Sequence, residues 1–416
     1  MIPRLAQEEP AQGRYLAFLE TLDQQGFQGE IRSDYGTRLV QSTDNSIYQI
    51  LPQAAVFPIN KLDLKILLKL AAHEKYRDIR FAPRGGGTGT NGQSLTDGII
   101  IDCSRHMNDI RELNVEQGWV KVGPGVVLDQ LNDFLRPHGV FFAPNLSPSS
   151  RATLGGMINT DACGKGSRVY GRTSDHLLEL SCLLSNGEEL HSVPLNPKEL
   201  ADWKEASGRT GEVYRVVDEI VCRQAELIEE IFPKMSRFMT GYNLAGVYSN
   251  DQRPVFNLNY LLAGSEGTLA LVHEAKLRLT PLPAFQELIV VKYESFDDAL
   301  RAAGILVQSD PTAIETVDEK ILGLAREDEI YHKVKDFVAD EGSRPTRTIN
   351  LVEFSGNEKS EVITKVDQLT QIIHERKEIS GEATGFYRTD IPEEIRDLWN
   401  LRKKGVGLLG CIEHTC

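Results

Sequence analysis

Five glycines within eight residues, in Pro83-Arg84-Gly85-Gly86-Gly87-Thr88-Gly89-Thr90-Asn91-Gly92, constrain this chain more than any other stretch of it. Glycine tolerates positive φ and lets a backbone approach a ligand closely. Successive N–H groups in such a loop make a concave nest for an anion without any side-chain charge. Three nucleotide-binding geometries use glycine in this way. A P-loop needs Gly-Lys-Ser/Thr, and no lysine lies between Gly85 and Gly92. Gly87-Thr88-Gly89-Thr90-Asn91-Gly92 is a literal G-x-G-x-x-G. That fingerprint requires a helix to start inside it, with its dipole on the pyrophosphate. Here Gln93–Gly98 runs instead into Ile99-Ile100-Ile101-Asp102, which reads as a strand. The third geometry is a loop between two strands whose main-chain amides cradle a pyrophosphate. Its alternative is a structural glycine turn.

The chain around the loop alternates strand and helix. Ala54–Phe57 and Ile79–Ala82 read as strands. Between them, Asn60 caps a helix expected to bury Leu62, Ile66, Leu67, Leu70 and Ala71. Trp119–Val122 is a further strand, followed by a helix over Val126–Arg136 that exits at Gly139. Leu177–Leu184 and Glu189–His191 form a hairpin about Asn186-Gly187. A long amphipathic helix spans Glu212–Ile231. Leu271, Ala275, Leu277 and Leu279 fall on one face of a strand that His273 interrupts. After Pro281 and Pro283 the composition shifts toward charge. Strands at Leu288–Tyr293 and Thr348–Phe354 alternate there with helices near Phe296–Val307 and Glu361–Ile373. The expected division is a helical lead-in at 1–47, a nucleotide-binding domain at 48–283 and an α+β domain at 284–416.

Composition removes several function classes. A net charge of −14 with no long basic run opposes general nucleic-acid binding. The apolar stretches are shorter than the ~18 residues a membrane span requires. Met1–Gln12 has no basic region followed by an apolar one, so no secretory leader is expected and the chain reads as cytoplasmic. Cys103, Cys163, Cys182, Cys222, Cys411 and Cys416 are scattered, which predicts neither a disulfide framework nor an iron–sulfur cluster. Cys411, His414 and Cys416 are soft ligands close together at a terminus, but zinc wants four ordered ligands, and no metal site is expected.

Three ordered segments carry a family resemblance. They are Pro83–Gly92; Pro144–Gly156 with its continuation through Thr160-Asp161-Ala162 to Tyr170-Gly171; and Gly264-Ser265-Glu266-Gly267-Thr268-Leu269. Together they resemble the FAD-linked oxidases of the vanillyl-alcohol-oxidase type. With Leu398-Trp399-Asn400-Leu401-Arg402, the likeness is greatest to bacterial D-2-hydroxyglutarate dehydrogenases bearing a fused C-terminal iron–sulfur region. Physically, Gly155-Gly156 lets backbone lie against a flat ring or phosphate, and Thr153 and Thr160 offer hydroxyl donors; a glycine-containing helix start is the plainer reading. Glu266 stands on a tight turn, or is simply a solvent-facing acid.

The resemblance implies an α+β architecture: a two-subdomain FAD-binding domain of the PCMH type, followed by a partial α+β cap or substrate domain. It implies FAD held by Pro83, Arg84, Gly85, Gly86, Gly87, Thr88, Gly89, Thr90, Asn91, Gly92, Pro144, Ser149, Thr153, Gly155, Gly156, Asn159, Thr160, Ala162, Tyr170, Gly171, Glu266, Gly267 and Thr268. The first glycine segment lacks the histidine that tethers flavin in some relatives, so non-covalent FAD is expected. The implied reaction is hydride transfer from a small D-2-hydroxyacid to flavin, with D-2-hydroxyglutarate favoured over D-lactate and glycolate. Arg402 would anchor the substrate carboxylate, because its fork binds carboxylate bidentately; an exposed helix arginine is the alternative. No catalytic base is identified. The family's metal site and iron–sulfur cluster would lie in a C-terminal part that this sequence does not contain, so the chain reads as the front portion of a longer enzyme. The electron acceptor and the oligomer are unspecified, and the location is cytoplasmic or peripheral to the inner membrane. A flavin-binding relay module without its own turnover is the competing function.

Overall fold

The structure is a computed structural model that describes residues 10–235, 237, 241–249, 254–340, 343–376, 379 and 381–410. Cys411, His414 and Cys416 lie outside the described residues. The chain divides into two compact units. One comprises residues up to Cys163 together with Gly171–Pro281; the other comprises Gly164–Tyr170 together with residues from Leu282 onward.

The first unit begins with a four-stranded sheet of β1 (Glu30–Arg32), β2 (Ala54–Phe57), β3 (Phe81–Arg84) and β4 (Ile99–Asp102), in the order β1-β2-β4-β3. β2, β4 and β3 run parallel, and β1 is an antiparallel edge. Ile99, Ile100 and Ile101 are all buried, as expected of a parallel strand covered on both faces. The N-terminal region packs on this unit through its helix. It supplies β1, and its helix Gly13–Gln24 sets Tyr15, Phe18, Leu19 and Leu22 into one core with Leu64 and Leu67. Asn60 caps the helix Lys61–Ala71 as expected, its Oδ1 accepting from Leu62 N and Asp63 N. Leu67 and Leu70 are buried as expected and Ile66 and Ala71 pack against the same core, but Leu64 and Leu68 are buried too and Leu62 is exposed. A helix apolar on several sides leaves the choice of face to the surface it meets.

The second sheet of this unit holds β5 (Ile110–Asn114), β6 (Trp119–Val122), β8 (Leu177–Leu183), β9 (Glu189–Ser192) and β10 (Leu271–Arg278); β7 (Val140–Phe141) pairs separately with β11 (Thr280–Pro281). Its order is β5-β6-β10-β8-β9, antiparallel throughout. The β8–β9 turn is a three-residue loop. Gly187 N donates to Leu184 O and Leu184 N to Glu188 O, with only Gly187 at positive φ. The long helix starts earlier than expected, at Gly208, and breaks at Gln224.

His273 accounts for the irregular pattern of β10. The register steps from Val272↔Cys182 to Glu274↔Ser181, so His273 is the extra residue of a β-bulge. The bulge shifts the phase of the strand. Val272 joins Ala275 and Leu277 in one core, while Leu271 faces the other. His273 itself is buried, and that burial, aided by Lys61, holds its pKa down to about 4. The folded pKa thus lies below the unfolded value, so the unfolded chain takes up the proton first as pH falls. This group's stabilisation should be complete above pH ~6.5 and lost on descending toward pH 4, by about 2–3 kcal/mol. Urea titrations of H273V between pH 4 and 7 are expected to show that slope flattened.

The second unit is an antiparallel sheet of β12 (Phe285–Tyr293), β13 (Ala313–Val317), β14 (Thr348–Gly356) and β15 (Gly385–Thr389), in the order β13-β14-β12-β15. One face packs Leu288, Val290, Ile349 and Leu351 against Leu322, Val334, Leu398 and Leu401 of three helices. The other packs Ile289, Val291, Val352 and Phe354 against the helices Phe296–Leu306 and Lys359–Arg376. Two covered faces explain the unbroken apolar run Leu288–Val291. This is the α+β arrangement expected, with two further strands that the sequence reading did not separate.

Candidate functional site

In the first unit, β3 and β4 are parallel neighbours, and residues 85–98 connect them without a helix. The glycine loop therefore lies beyond the carboxyl ends of parallel strands, where open α/β sheets hold ligands. No helix starts at Gly92, so the context excludes the dinucleotide fingerprint that the letters alone allow.

The three segments converge on this loop. A Cβ on Gly85 would stand 2.1 Å from Thr153 Oγ1, and one on Gly86 would stand 1.9 Å from the Arg151 carbonyl oxygen. A Cβ on Gly267 would lie 2.2 Å from Pro83 Cγ. Gly264 N donates to Ile158 O at 2.9 Å and Glu266 N to Asn159 O at 2.8 Å, joining the second segment to the third. Gln93 Nε2 donates to Glu266 Oε1 at 3.4 Å, closing the ring. The described residues place positive φ on only three non-glycine residues, and Asp161 and Glu266 in this junction are two of them. Such strain persists where surrounding structure over-determines it, and it concentrates at binding sites.

Among the described residues, Asn91 is the one residue from Gly85 to Gly92 whose N–H finds a protein acceptor, Gln93 Oε1. The other loop amides remain available, and Gly87 and Gly92 sit at positive φ. Thr88 is half-buried; Thr90 and Asn91 are exposed. The buried Oδ1 of Asn159 has no partner, while its Nδ2 donates to Gly155 O. Unused donors beside a Cβ-free floor, with one orphaned acceptor, fit the diphosphate and flanking rings of FAD.

Several expected residues turn out to build the walls. Thr153 caps the helix Leu154–Asn159, its Oγ1 accepting from Gly156 N at 3.3 Å. The Thr160 hydroxyl is not offered outward, because it donates to Gly156 O at 3.0 Å. Gly155 is required by the approach of Pro124, whose Cβ would be 2.7 Å from an added Cβ. Pro144 and Ser149 are buried, and Ser149 O accepts from Asp129 N. Ala162 O takes both the N–H and the hydroxyl of Thr173. Gly171 has φ +74°, and Thr268 Oγ1 donates to Ser265 O. Tyr170 belongs to the second unit; burial pushes its phenol above the usual tyrosine range, opposed by a hydrogen bond to Ser355.

The sequence reading passed over the buried Asp161–Arg172 pair at 3.2 Å. Asp161 also accepts from Ser174 N and Oγ. Burial raises the Asp161 pKa, with Arg172 opposing it. The Thr160-Asp161-Ala162 motif names this aspartate, but its role appears only once Arg172 is folded beside it.

In the second unit, the helix Pro392–Gly410 buries Leu398 and Leu401 and directs Arg402 to Glu315, with Nε and Nη2 each 3.0 Å from Oε2. Arg402 thus already grips a carboxylate. Nearby in sequence, Trp399 Nε1 donates at 2.7 Å to Glu353, which also pairs with Lys165 at 2.8 Å.

Comparison with known proteins agrees with this geometry. The FAD binding domain family matches residues 52–192, and the C-terminal domain of FAD linked oxidases matches residues 282–415. The chain is 50% identical over 413 residues to a D-2-hydroxyglutarate dehydrogenase of Pseudomonas putida, covering 99% of this chain and 41% of that protein. It is 47% identical over 414 residues to a D-2-hydroxyglutarate dehydrogenase of Escherichia coli, covering 99% and 40%. The chain therefore spans about two fifths of the length of these relatives. Among solved structures, alkyldihydroxyacetonephosphate synthase matches with a TM-score of 0.65 at 16% identity, covering 98% of this chain and 67% of that one, a likeness of fold. The chain thus carries, in order, an FAD binding domain and a C-terminal domain of the FAD linked oxidases.

Proposed function

We propose that this chain holds FAD non-covalently and serves the oxidation of a D-2-hydroxyacid, D-2-hydroxyglutarate being favoured over D-lactate and glycolate. The observation that carries the reading is the convergence of the unused amides of Gly85–Thr90 and Gly92 with Thr153–Asn159 and Gly264–Glu266. When bound, FAD accepts a hydride from the carbon bearing the hydroxyl. The chain's own residues supply the rest. The loop amides bind the diphosphate, Gly156 offers bare backbone beside them, and the Asp161–Arg172 pair fixes the backbone that follows. Arg402 is suited to a substrate carboxylate, for which Glu315 would yield its place. Identity of 50% and 47% to D-2-hydroxyglutarate dehydrogenases supports the choice of substrate.

The protein reconstituted with FAD is expected to absorb at about 450 nm and to bleach anaerobically on adding D-2-hydroxyglutarate. Denaturation followed by filtration should release all the flavin into the filtrate. Flavin remaining on the polypeptide would overturn the non-covalent assignment. The engagement of Arg402 by Glu315 favours a second reading, a flavin-binding relay without its own turnover. Binding without bleaching would select it.

A further inference from the structure

The match to the FAD binding domain begins at residue 52, yet the glycine loop is held by residues that precede it. Arg84 leaves the end of β3 with its guanidinium turned toward the N-terminal segment. Nη2 donates to Thr43 O at 2.6 Å, and Nη1 stands 3.5 Å from both Gln41 O and Ser94 Oγ. The same guanidinium lies against Gly87, where an added Cβ would be 2.6 Å from Nη2. Asn45 N donates to Gly87 O at 3.0 Å, so the φ +60° residue is gripped from two sides.

The other end of the loop is held by the same segment. Tyr48 Cδ2 would lie 3.0 Å and Ser46 Oγ 3.7 Å from a Cβ on Gly92, the second positive-φ glycine. Asp44 accepts from Ser94 Oγ at 3.0 Å through Oδ2 and from Ser46 N at 2.8 Å through Oδ1. Gln41 Nε2 donates to the buried Asp102 at 3.1 Å, tying the segment to the end of β4 opposite Arg84. These contacts use the loop's carbonyl, side chains and bare Cα faces. They take none of its amide protons.

We infer that Gln41–Tyr48 and Arg84 form a clip that holds the glycine loop open for a diphosphate, with Arg84 a positioning residue acting through Gly87. The inference rests on reading the loop as the diphosphate cradle. Lysine cannot replace Arg84, because one ammonium cannot face Thr43 O, Gln41 O and Ser94 Oγ with a planar fork while standing against Gly87.

The test compares the wild-type chain with R84K and with D44A, a milder lesion outside the loop. FAD affinity is measured by fluorescence titration, ADP affinity by competition, and clip order in the cofactor-free protein by exchange of the Asn45 amide, which donates to Gly87 O. R84K is expected to weaken FAD and ADP by the same factor, about 10-fold, and D44A by about 3-fold. The Asn45 amide should exchange faster in both variants while those of β12 and β14 are unchanged. Affinities within twofold of wild type in both variants, or weaker FAD with unaltered ADP, would overturn the clip. If the wild-type chain bound neither FAD nor ADP, the diphosphate reading would fail, and the exchange rates would still decide whether the clip orders the loop.

Discussion

Replacing Gly86 with alanine is expected to weaken FAD binding about 100-fold, the equivalent of about 3 kcal/mol, and to lower the thermal midpoint of the first unit. The new Cβ would sit 1.9 Å from Arg151 O and 2.8 Å from its carbonyl carbon. That carbonyl has no room to retreat. Arg151 N and Ala152 N both donate to Pro148 O, and Ala152 O accepts from Leu128 N. The loop must therefore swing away from the second segment and take its free amides with it. Gly156 provides a contrast. A Cβ there meets nothing nearer than Thr153 Oγ1 at 3.4 Å, and the position is helical. G156A should leave the cofactor-free fold as stable or raise its stability by up to about 1 kcal/mol, by helix propensity. Loss of FAD affinity in G156A without loss of stability would then report contact with the cofactor itself. Titration of both variants, beside their melting curves, separates glycine needed for packing from glycine needed for the ligand.

Lys165→Met is expected to destabilise the second unit by about 3 kcal/mol. Glu353 on β14 has 5% of its side chain exposed, and its carboxylate is satisfied by Lys165 Nζ at 2.8 Å and Trp399 Nε1 at 2.7 Å. Lys165 also lies 4.1 Å over the Trp399 ring. Removing the lysine leaves a buried carboxylate with one hydrogen bond, which costs more than the pair contributes. E353Q should cost less, because Lys165 is about a quarter exposed and can turn to water. K165M/E353Q should recover part of the K165M loss, with a coupling of about 1–3 kcal/mol. Denaturant melts of the four proteins, monitored by tryptophan fluorescence with Trp119 and Trp203 replaced by phenylalanine in all four, complete the cycle. Additive losses would show that the ion pair is not what holds residues 164–170 in this unit.

The glycine loop, its place between two strands and the order of the three segments were legible in the primary structure because each is a local property. Five glycines in eight residues mark a backbone stripped of Cβ atoms, and Ile99–Asp102 excludes a helix start by its own pattern. The β10 strand was legible only in part. Its alternation was visible, but the reason for the break, an extra residue at His273, depends on which strand pairs with it. For the helix Lys61–Ala71, the burial of Leu67 and Leu70 was legible, whereas the exposure of Leu62 and the burial of Leu64 and Leu68 were not, because leucines lie on more than one side of it. Arg402 was legible as an arginine on an amphipathic helix, whereas its engagement with Glu315 depends on where β13 lies.

Sequence by itself determined the chemistry on offer: glycine-rich backbone, an asparagine cap at Asn60, buried apolar strands and an acidic composition. It did so because φ preference, capping and hydrophobic period are fixed within a few residues. Tertiary structure alone decided which glycines are demanded by neighbours, which hydroxyls are already spent, and that Asp161 meets Arg172. It also decided that residues 41–48 grip a loop some forty positions later. Those outcomes turn on distances between segments far apart in the chain, and no local propensity encodes them.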